Sequence, residues 1–341
     1  MKRSWLAALF LAALPAFGAA PTAAPAQAAP DASAYQHLVD AANAVVAIKV
    51  RALPNARSAA TLGAERMGSG VLFAPQGLVL TIGYLVVEAD SVSITDTDGS
   101  EVPARVLAYD HATGFGLVKP LAKLPLAPVP IRLGTAKPVA QLDRMMIVTG
   151  GEEQNISIAT VVSKREYAGY WEYMIDDAIF TAPARFDHSG AALINKDGEL
   201  VGIGSLFVMD ALTPGERLPG NMFVPVDLLR PVLEQLVKTG AQPESQRPWL
   251  GVNSLEEDGR VKVVQVNEES PAADAGIVPG DIILGIDGQP VDSLERFYRN
   301  LWTRGPAGVD IVLTVLHGPQ TKEVTVRSID RQQFMRKRPG V

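Results

Sequence analysis

The sequence contains no cysteine, and only four of its 341 residues are histidine. Without cysteine the chain can form no disulfide bond, no thiolate metal site and no cysteine nucleophile. The histidines, at positions 37, 111, 188 and 317, are far apart and lack the spacing of metal ligands. We therefore expect neither a metal site nor a cofactor.

Positive charge is also scarce. The 31 Lys and Arg residues are outnumbered by 37 Asp and Glu, which gives a formal net charge of −6. The first 30 positions hold Lys2 and Arg3 but no acidic residue, so losing them as a leader would give −8, which is −6 minus 2. Nucleic-acid binding relies on Lys and Arg that neutralise phosphate, so a nucleic-acid partner is not expected.

The start of the chain has the order of a secretory signal peptide. The two basic residues precede an apolar run at 5–17 and then the small residues GAAPTAAPAQAAP. A membrane span needs about 20 apolar residues, and this run is shorter. We expect a signal peptide over 1–28 with cleavage between 18 and 28, a spacer at 29–34, and no membrane span after cleavage.

The region 68–208 consists of short apolar runs broken by turn residues, such as GSGVLFA and LVGIGSLFV. This pattern predicts antiparallel β structure, either two small barrels or a large sandwich. A helix is then predicted over VDLLRPVLEQLVKTG, with Asp227 as its cap, Pro231 in its first turn and Gly240 as its stop. The polar segment 241–247 is typical of a linker.

The C-terminal part contains its own set of signals. SPAADAG predicts a short helix with a serine cap, the Asp287-Gly288 pair predicts a hairpin turn, and Asp292 or Ser293 opens an amphipathic helix. Two alternating strands, VDIVLTVL and KEVTV, follow around the turn HGPQ. These signals predict a second folded unit over 248–329, followed by a basic tail over 330–341.

Several of these segments resemble one known family. They are GSGVLF, ALINKDGELVGIG and NMFVPV in the first part, and RPWLGV and SPAADAGIVPGDIILGIDGQPV in the second. Nearly the whole mature chain resembles the periplasmic HtrA (Do-like) serine proteases. The resemblance implies a mostly β fold, with a two-barrel chymotrypsin-like domain over 35–240 followed by an α+β PDZ domain over 248–329.

The resemblance also carries the family's catalytic positions onto this chain. The family's Thr-Asn-Asn-His-Val aligns with TIGYL, which puts Tyr84 at the histidine position. Its Asp-Pro-x-Thr-Asp-Leu-Ala aligns with DHATGFG, which puts Gly114 at the aspartate position. Its Gly-Asn-Ser-Gly-Gly-Pro-Leu aligns with DHSGAAL, which leaves Ser189 at the nucleophile position, as the remnant of a nucleophile, and places Asp187 in the oxyanion loop.

These residue types argue against catalysis. A serine hydroxyl needs a nearby base, and a tyrosine with an ordinary pKa of about 10 stays protonated at pH 7. Gly114 cannot orient a base, and a carboxylate at Asp187 about 5 Å from a developing oxyanion would oppose it by roughly 3 kcal/mol. His188 and His111 are not expected to reach the serine. We therefore expect Tyr84 to be a packing residue and the chain not to be an enzyme.

The second unit is predicted to bind peptides. In PDZ domains backbone N–H groups of a short loop hold a peptide's C-terminal carboxylate, and WLGV resembles that loop. The expected peptide-binding residues are Trp249, Leu250, Gly251, Val252, Phe297 and Leu301. Two alternatives remain: these are core residues of a groove shut against the first domain, or Val341 occupies a groove of its own or of a neighbouring molecule.

Three hypotheses for the function follow. The leading one is an inactive HtrA-like protein of the periplasm that acts as scaffold, chaperone or regulator in envelope protein quality control or assembly. Its partners would be polypeptide C-termini, unfolded envelope proteins or a catalytic HtrA relative, and the family makes a homo-oligomer such as a trimer plausible. The alternative is an active serine endopeptidase that uses Ser189 with a non-standard base. The third is an assembly factor that interacts through its first domain.

Overall fold

The computed structural model describes four stretches of the chain: residues 35–73, 77–151, 154–240 and 247–337. The predicted signal peptide, the spacer at 29–34, nearly all of the linker and Val341 lie outside the described residues. The compact unit that begins at Gln36 contains both folded domains, so their mutual contacts belong to one body.

The first six strands close into a barrel. They are β1 (Val45–Ala52), β2 (Glu65–Phe73), β3 (Leu78–Ile82), β4 (Ala89–Thr95), β5 (Glu101–Tyr109) and β6 (Phe115–Pro120). The order is β1-β2-β3-β6-β5-β4, and β4 pairs back onto β1. Alternation explains the barrel, because Ile48 and Val50 of β1 are buried while Lys49 and Arg51 between and beside them face outward.

The next seven strands form a second sheet. They are β7 (Arg132–Leu133), β8 (Arg144–Val148), β9 (Ile156–Gly169), β10 (Tyr173–Ala182), β11 (Ala192–Ile194), β12 (Glu199–Val208) and β13 (Gly220–Pro225). Their order is β11-β8-β9-β10-β13-β12-β7, and an additional pairing of β11 with β12 closes the ring. Phe73 and Phe115 of the first barrel share one buried core with Phe180 of the second.

The helices of the first domain are short. They are α1 (Gln36–Asn43), α2 (Ala59–Leu62), α3 (Gly83–Val86) and α4 (Leu233–Thr239). Within the described stretches no helix is both long and apolar enough to span a membrane.

The helix predicted from residue 227 onward begins later than expected. A 3-10 turn occupies Val226–Leu228, and α4 starts only at Leu233, after Pro231. The Asp227 carboxylate does not cap the helix, because it accepts hydrogen bonds from the Thr135 hydroxyl and the Ala136 N–H instead. The predicted stop is confirmed, since Gly240 adopts φ 73°, the left-handed conformation that favours glycine.

The C-terminal domain is an α+β unit. Its strands are β14 (Pro248–Trp249), β15 (Val252–Glu257), β16 (Arg260–Val266), β17 (Ile282–Ile286), β18 (Gln289–Pro290), β19 (Asp310–His317), β20 (Gln320–Arg327) and β21 (Ile329–Asp330). Its helices are α5 (Pro271–Asp274), α6 (Leu294–Trp302) and α7 (Arg331–Phe334). The main sheet has the order β15-β16-β17-β19-β20, while β14 pairs with β21.

Several local features of this domain agree with what the sequence predicts. Ser270 caps α5 and Ser293 caps α6, each accepting a backbone N–H three residues later. Asp287 and Gly288 both have positive φ in the turn between β17 and β18, as a two-residue hairpin turn requires. The predicted architecture, a mostly β chain with a two-barrel domain followed by an α+β domain, is confirmed.

The segment predicted as a basic tail begins with ordered structure. It opens with Asp330, the last residue of β21, and continues into α7, where the Phe334 ring lies 4.6 Å from the Trp249 ring. The guanidinium of Arg57, from the first domain, lies 4.1 Å above the Phe334 ring. Residues 330–334 thus contact both domains.

Removing the Ser270 cap is expected to destabilise the protein. Because Ser270→Ala leaves the Ala273 N–H without its acceptor, the free energy of unfolding should fall by about 1 kcal/mol. Urea denaturation of the full chain measures this. The exposed Ser91→Ala serves as control and should change the free energy by less than about 0.5 kcal/mol. Equal effects of the two substitutions would contradict the capping role.

Candidate active site and PDZ groove

Ser189 lies in the loop between β10 and β11, fixed against the first barrel. Its carbonyl oxygen accepts a hydrogen bond of 2.8 Å from the Ser69 N–H in β2. The next residue, Gly190, has φ 75°, and a Cβ there would lie 1.9 Å from the Ser69 carbonyl oxygen. Only glycine allows this approach, so the Ser-Gly pair holds the hydroxyl at the junction of the two barrels.

Tyr84 contacts the serine directly. Its hydroxyl oxygen lies 2.8 Å from Ser189 Oγ and 2.9 Å from the Ser205 carbonyl oxygen. A carbonyl oxygen only accepts, so the Tyr84 proton can satisfy Ser205 while the phenol oxygen accepts the proton of Ser189. The prediction that Tyr84 is only a packing residue is corrected, because its hydroxyl is the hydrogen-bond partner of the serine.

The surroundings of Tyr84 control its ionisation. Burial raises the pKa of Tyr84 to about 12, and the hydrogen bond with Ser189 opposes part of that rise. The neutral phenol is therefore the dominant form at neutral pH.

A second tyrosine fills the space beside Gly114. Gly114 has φ 78°, and a Cβ there would lie 2.7 Å from the Tyr173 hydroxyl oxygen. Tyr173, the first residue of β10, is buried, and its hydroxyl lies 3.4 Å from the Thr113 carbonyl oxygen. The backbone carbonyl of Gly114 accepts a hydrogen bond of 2.7 Å from the Gly83 N–H, which anchors the helix that carries Tyr84.

The Asp187 carboxylate is neutralised. Arg185 Nε donates to it at 2.9 Å, and a second guanidinium nitrogen completes a two-point ion pair. Arg185 also donates to the Ser157 hydroxyl at 2.6 Å, and only 12% of its side chain is exposed. The repulsion expected between Asp187 and a developing oxyanion is thereby reduced, because a fixed cation faces the carboxylate.

Neither neighbouring histidine contacts Ser189. His188 is half-buried, and its Nδ1 lies 3.0 Å from the Arg185 carbonyl oxygen. The His111 ring lies tilted against Tyr109 with 4.2 Å between ring centroids, and burial lowers the pKa of His111 well below its ordinary value. Among the described side chains, no group of three His, Asp or Glu could hold a metal ion.

The predicted carboxylate-binding loop of the PDZ domain already holds a carboxylate. Glu172, at the tip of the β9–β10 hairpin, accepts hydrogen bonds from the N–H groups of Leu250, Gly251 and Val252 at 3.0, 2.7 and 3.0 Å. Gly251 has φ 90°, and a Cβ there would lie 2.3 Å from the Ser270 Cβ. The loop thus takes a shape that requires glycine and directs three donors at one side chain.

The rest of the hairpin tip occupies the groove between β15 and α6. The Tyr170 carbonyl accepts a hydrogen bond of 2.8 Å from the Ser254 N–H in β15. On the other side, the Tyr298 hydroxyl of α6 donates to the Gly169 carbonyl at 2.7 Å and accepts from the Glu172 N–H at 3.2 Å. The hairpin therefore lies across the groove as a bound segment.

The other predicted peptide contacts are not open to solvent. Phe297 and Leu301 are fully buried in the PDZ core, and Trp249 is 5% exposed beneath α7. The geometry matches the alternative of a groove shut against the first domain rather than an open groove, and the alternative at Val341 lies outside the described residues. Sequence reasoning missed Glu172 because a charged residue at a hairpin tip ordinarily faces solvent.

Two domain families match the chain. A family model described as a trypsin-like peptidase domain matches residues 68–203, and one described as a PDZ domain matches residues 248–327. The two matches fall on the two-barrel domain and on the α+β domain.

Curated relatives match most of the chain. The chain is 27% identical over 308 residues to the serine endoprotease DegS of Escherichia coli, covering 84% of this chain and 83% of DegS. The chain thus combines a region that matches trypsin-like peptidase domains with a region that matches PDZ domains. It is 29% identical over 246 residues to a probable periplasmic serine endoprotease, DegP-like, of Pseudomonas putida strain W619, covering 67% of this chain. The matched part is about half of that relative's length, 48%.

Solved structures support the HtrA-type fold. The HtrA-type protease AlgW with a decapeptide matches with a TM-score of 0.53 and 23% identity, covering 90% of this chain and 99% of AlgW. A serine endoprotease from Yersinia pestis matches with a TM-score of 0.53 and 24% identity, covering 88% and 98%.

The relatives overturn the prediction that this chain is not an enzyme, since both curated relatives above are named serine endoproteases. One part of the physical argument for that prediction also fails, because the Asp187 carboxylate is paired with Arg185. The phenol oxygen of Tyr84 lies within hydrogen-bond distance of Ser189, although it stays protonated at neutral pH as expected.

The raised pKa of Tyr84 predicts a pH-dependent loss of stability. Its neutral form is favoured by folding, so this stabilisation is complete below pH 10 and is lost as the pH rises towards 12. Relative to Tyr84→Phe, the wild-type free energy of unfolding should fall by about 1.4 kcal/mol between pH 8 and pH 11. Urea denaturation at both pH values measures it, with the exposed Tyr35→Phe as control. If wild type and Tyr84→Phe differed in free energy of unfolding by the same amount at both pH values, the raised pKa of Tyr84 would be refuted.

Glu172 predicts a second pH dependence. Burial raises the pKa of Glu172 to about 7, although the three backbone N–H groups of the loop oppose the rise. The folded protein favours the neutral carboxyl group of Glu172, so this stabilisation is present below pH 4.5 and is lost as the pH rises through 7. Relative to Glu172→Gln, the wild-type free energy of unfolding should fall by about 3 kcal/mol between pH 4.5 and pH 8.

The control for this measurement is Asp177→Asn, which replaces an exposed acid in β10 and should leave the pH dependence as in wild type. If the wild-type free energy of unfolding instead rose with pH relative to Glu172→Gln, the expectation would be contradicted. The three N–H donors would then affect the pKa of Glu172 more strongly than burial does.

Proposed function

We propose that the protein is a periplasmic HtrA-type serine endopeptidase that acts on polypeptides, with Ser189 as nucleophile and the Tyr84 oxygen as the base. The observation that carries the proposal is the 2.8 Å contact between Tyr84 Oη and Ser189 Oγ. The names of the relatives support the reaction class, and a phenol oxygen is the only proton acceptor that touches the serine hydroxyl within the described residues.

In the first step the Tyr84 phenolate takes the proton of Ser189 while Oγ forms a bond to the substrate's carbonyl carbon. The carbonyl electron pair moves onto its oxygen, which becomes the oxyanion. The backbone N–H groups of Asp187 and Ser189 donate no hydrogen bond to any described residue, and we assign them to this oxyanion.

In the second step the neutral Tyr84 returns the proton to the amine nitrogen as the C–N bond breaks. An ester remains on Ser189, and the phenolate is restored. Water then attacks the ester carbon while the phenolate takes its proton, and Tyr84 passes that proton to Ser189 Oγ as the acid product leaves.

The raised pKa makes this reaction slow at neutral pH. With a pKa of about 12, only about one molecule in 10⁵ carries the Tyr84 phenolate at pH 7. The rate should therefore rise about tenfold for each pH unit until the protein begins to unfold.

The PDZ domain gives the proposal a route to polypeptides. PDZ domains bind peptide C-termini, and the loop Leu250–Val252 has three N–H groups directed at a carboxylate. We propose the domain limits 35–240 and 248–329, and unfolded envelope proteins or polypeptide C-termini as partners. A homo-oligomer such as a trimer, or assembly with a catalytic relative, stays a prediction from the family resemblance.

A fluorophosphonate probe tests the proposed function. Purified protein should be labelled at Ser189, with a rate that rises about tenfold per pH unit between pH 7 and pH 10. Ser189→Ala should abolish labelling, and Tyr84→Phe should slow it by at least about 100-fold because the base is lost. Tyr35→Phe, an exposed tyrosine, should label like wild type.

Two results would refute the proposal. One is the absence of Ser189-dependent labelling at every pH in protein that is shown to be folded. The other is a labelling rate that Tyr84→Phe leaves unchanged, since the serine would then react without the phenol.

A further inference from the structure

The geometry of the PDZ groove resembles an occupied binding site. A C-terminal peptide bound to a PDZ domain presents its carboxylate to the loop and extends beside the adjacent strand. The β9–β10 hairpin does both, since Glu172 binds the loop and the Tyr170 carbonyl, two residues earlier, bonds to Ser254 of β15. An internal side chain thus stands where a chain end would bind.

Several buried hydrogen bonds hold this internal segment in the groove. The Glu172 side chain is 7% exposed, and its carboxylate accepts hydrogen bonds from three consecutive backbone N–H groups. Tyr298 of α6 bonds to the hairpin backbone at both Gly169 and Glu172. Met174 of β10 packs in the PDZ core itself. The hairpin is therefore integrated into the groove on all sides.

We infer that residues Tyr170–Glu172 are an internal ligand of the PDZ domain, with the Glu172 carboxylate in place of a peptide's C-terminal carboxylate. The groove then accepts an external polypeptide only when that peptide's own carboxylate displaces Glu172. This inference rests on the proposed peptide-binding role of the PDZ domain and adds that the role is held in check by competition within the chain.

Competition within one chain is effective because the internal ligand never diffuses away. A tethered group acts at an effective concentration in the millimolar range or above. An external peptide therefore binds the full chain more weakly than it would bind a free groove. Its apparent affinity is the affinity for the free groove multiplied by the fraction of molecules in which Glu172 has left the loop.

The test measures peptide binding to the full chain with and without the internal carboxylate. The probe is a fluorescein-labelled pool of Gly/Ala decapeptides that end in Val, Leu or Phe with a free carboxylate. Fluorescence anisotropy at pH 8 gives the dissociation constant. The same pool with amidated C-termini tests whether the carboxylate is recognised, and all proteins carry Ser189→Ala so that no peptide is cleaved.

We expect Glu172→Ala to bind the free-carboxylate pool at least 10-fold more tightly than the parent protein, and not to bind the amidated pool. Asp177→Asn, which removes another exposed acid of the same hairpin, should bind like the parent. Should Glu172→Ala fail to fold, as judged by circular dichroism, Glu172→Met keeps a similar volume but offers the loop no carboxylate, and it should also bind the free-carboxylate pool more tightly than the parent.

The contradictory results are distinct. Equal binding to the parent and to both Glu172 variants would overturn the internal-ligand inference while leaving the PDZ role intact. Binding of the amidated pool as tightly as the free-carboxylate pool would overturn the assignment of the loop to a carboxylate. No binding to any variant would overturn both the inference and the peptide-binding role, whereas labelling at Ser189 is measured separately and is unaffected.

Discussion

The contact of the Glu172 carboxylate with three backbone N–H groups of the PDZ loop is the interaction on which the arrangement of the two domains depends. A buried carboxylate without partners would be strongly unfavourable, so the loop and the hairpin tip each satisfy the other. Breaking this contact would leave three donors and one charge without partners at the centre of the domain interface. The two folded units are therefore joined through buried polar groups as well as through apolar packing.

The same hairpin also reaches the candidate active site. Glu172 faces the PDZ loop, and the next residue, Tyr173, lies against Gly114 in the first barrel. Gly114 in turn bonds to Gly83, which begins the helix that carries Tyr84 to Ser189. One short turn thus separates the groove that would hold a peptide from the tyrosines that surround the serine.

Local patterns predicted the fold better than the site. Strand alternation, the Asp287-Gly288 turn and the caps at Ser270 and Ser293 act over a few residues, and each is visible in the sequence. The predicted start of the helix at Asp227 was wrong, because the hydroxyl of Thr135, in a loop distant in sequence, donates a hydrogen bond to the Asp227 carboxylate.

The contacts of Tyr84 and Glu172 could not be predicted, since each joins residues about 80 to 105 positions apart that only the tertiary fold brings together. Residue types alone therefore misjudged the chemistry of the serine. Tyr84 was assigned to packing and Asp187 to repulsion, because neither the Ser205 carbonyl nor Arg185 could be placed beside them.

The most direct test of the account is amide hydrogen exchange at Leu250, Gly251 and Val252 in the full chain. The account predicts exchange far slower than in the exposed turn at Asp258–Gly259, and at least 10-fold faster exchange in Glu172→Ala; loop amides that exchange as fast as that turn in the wild type would contradict it.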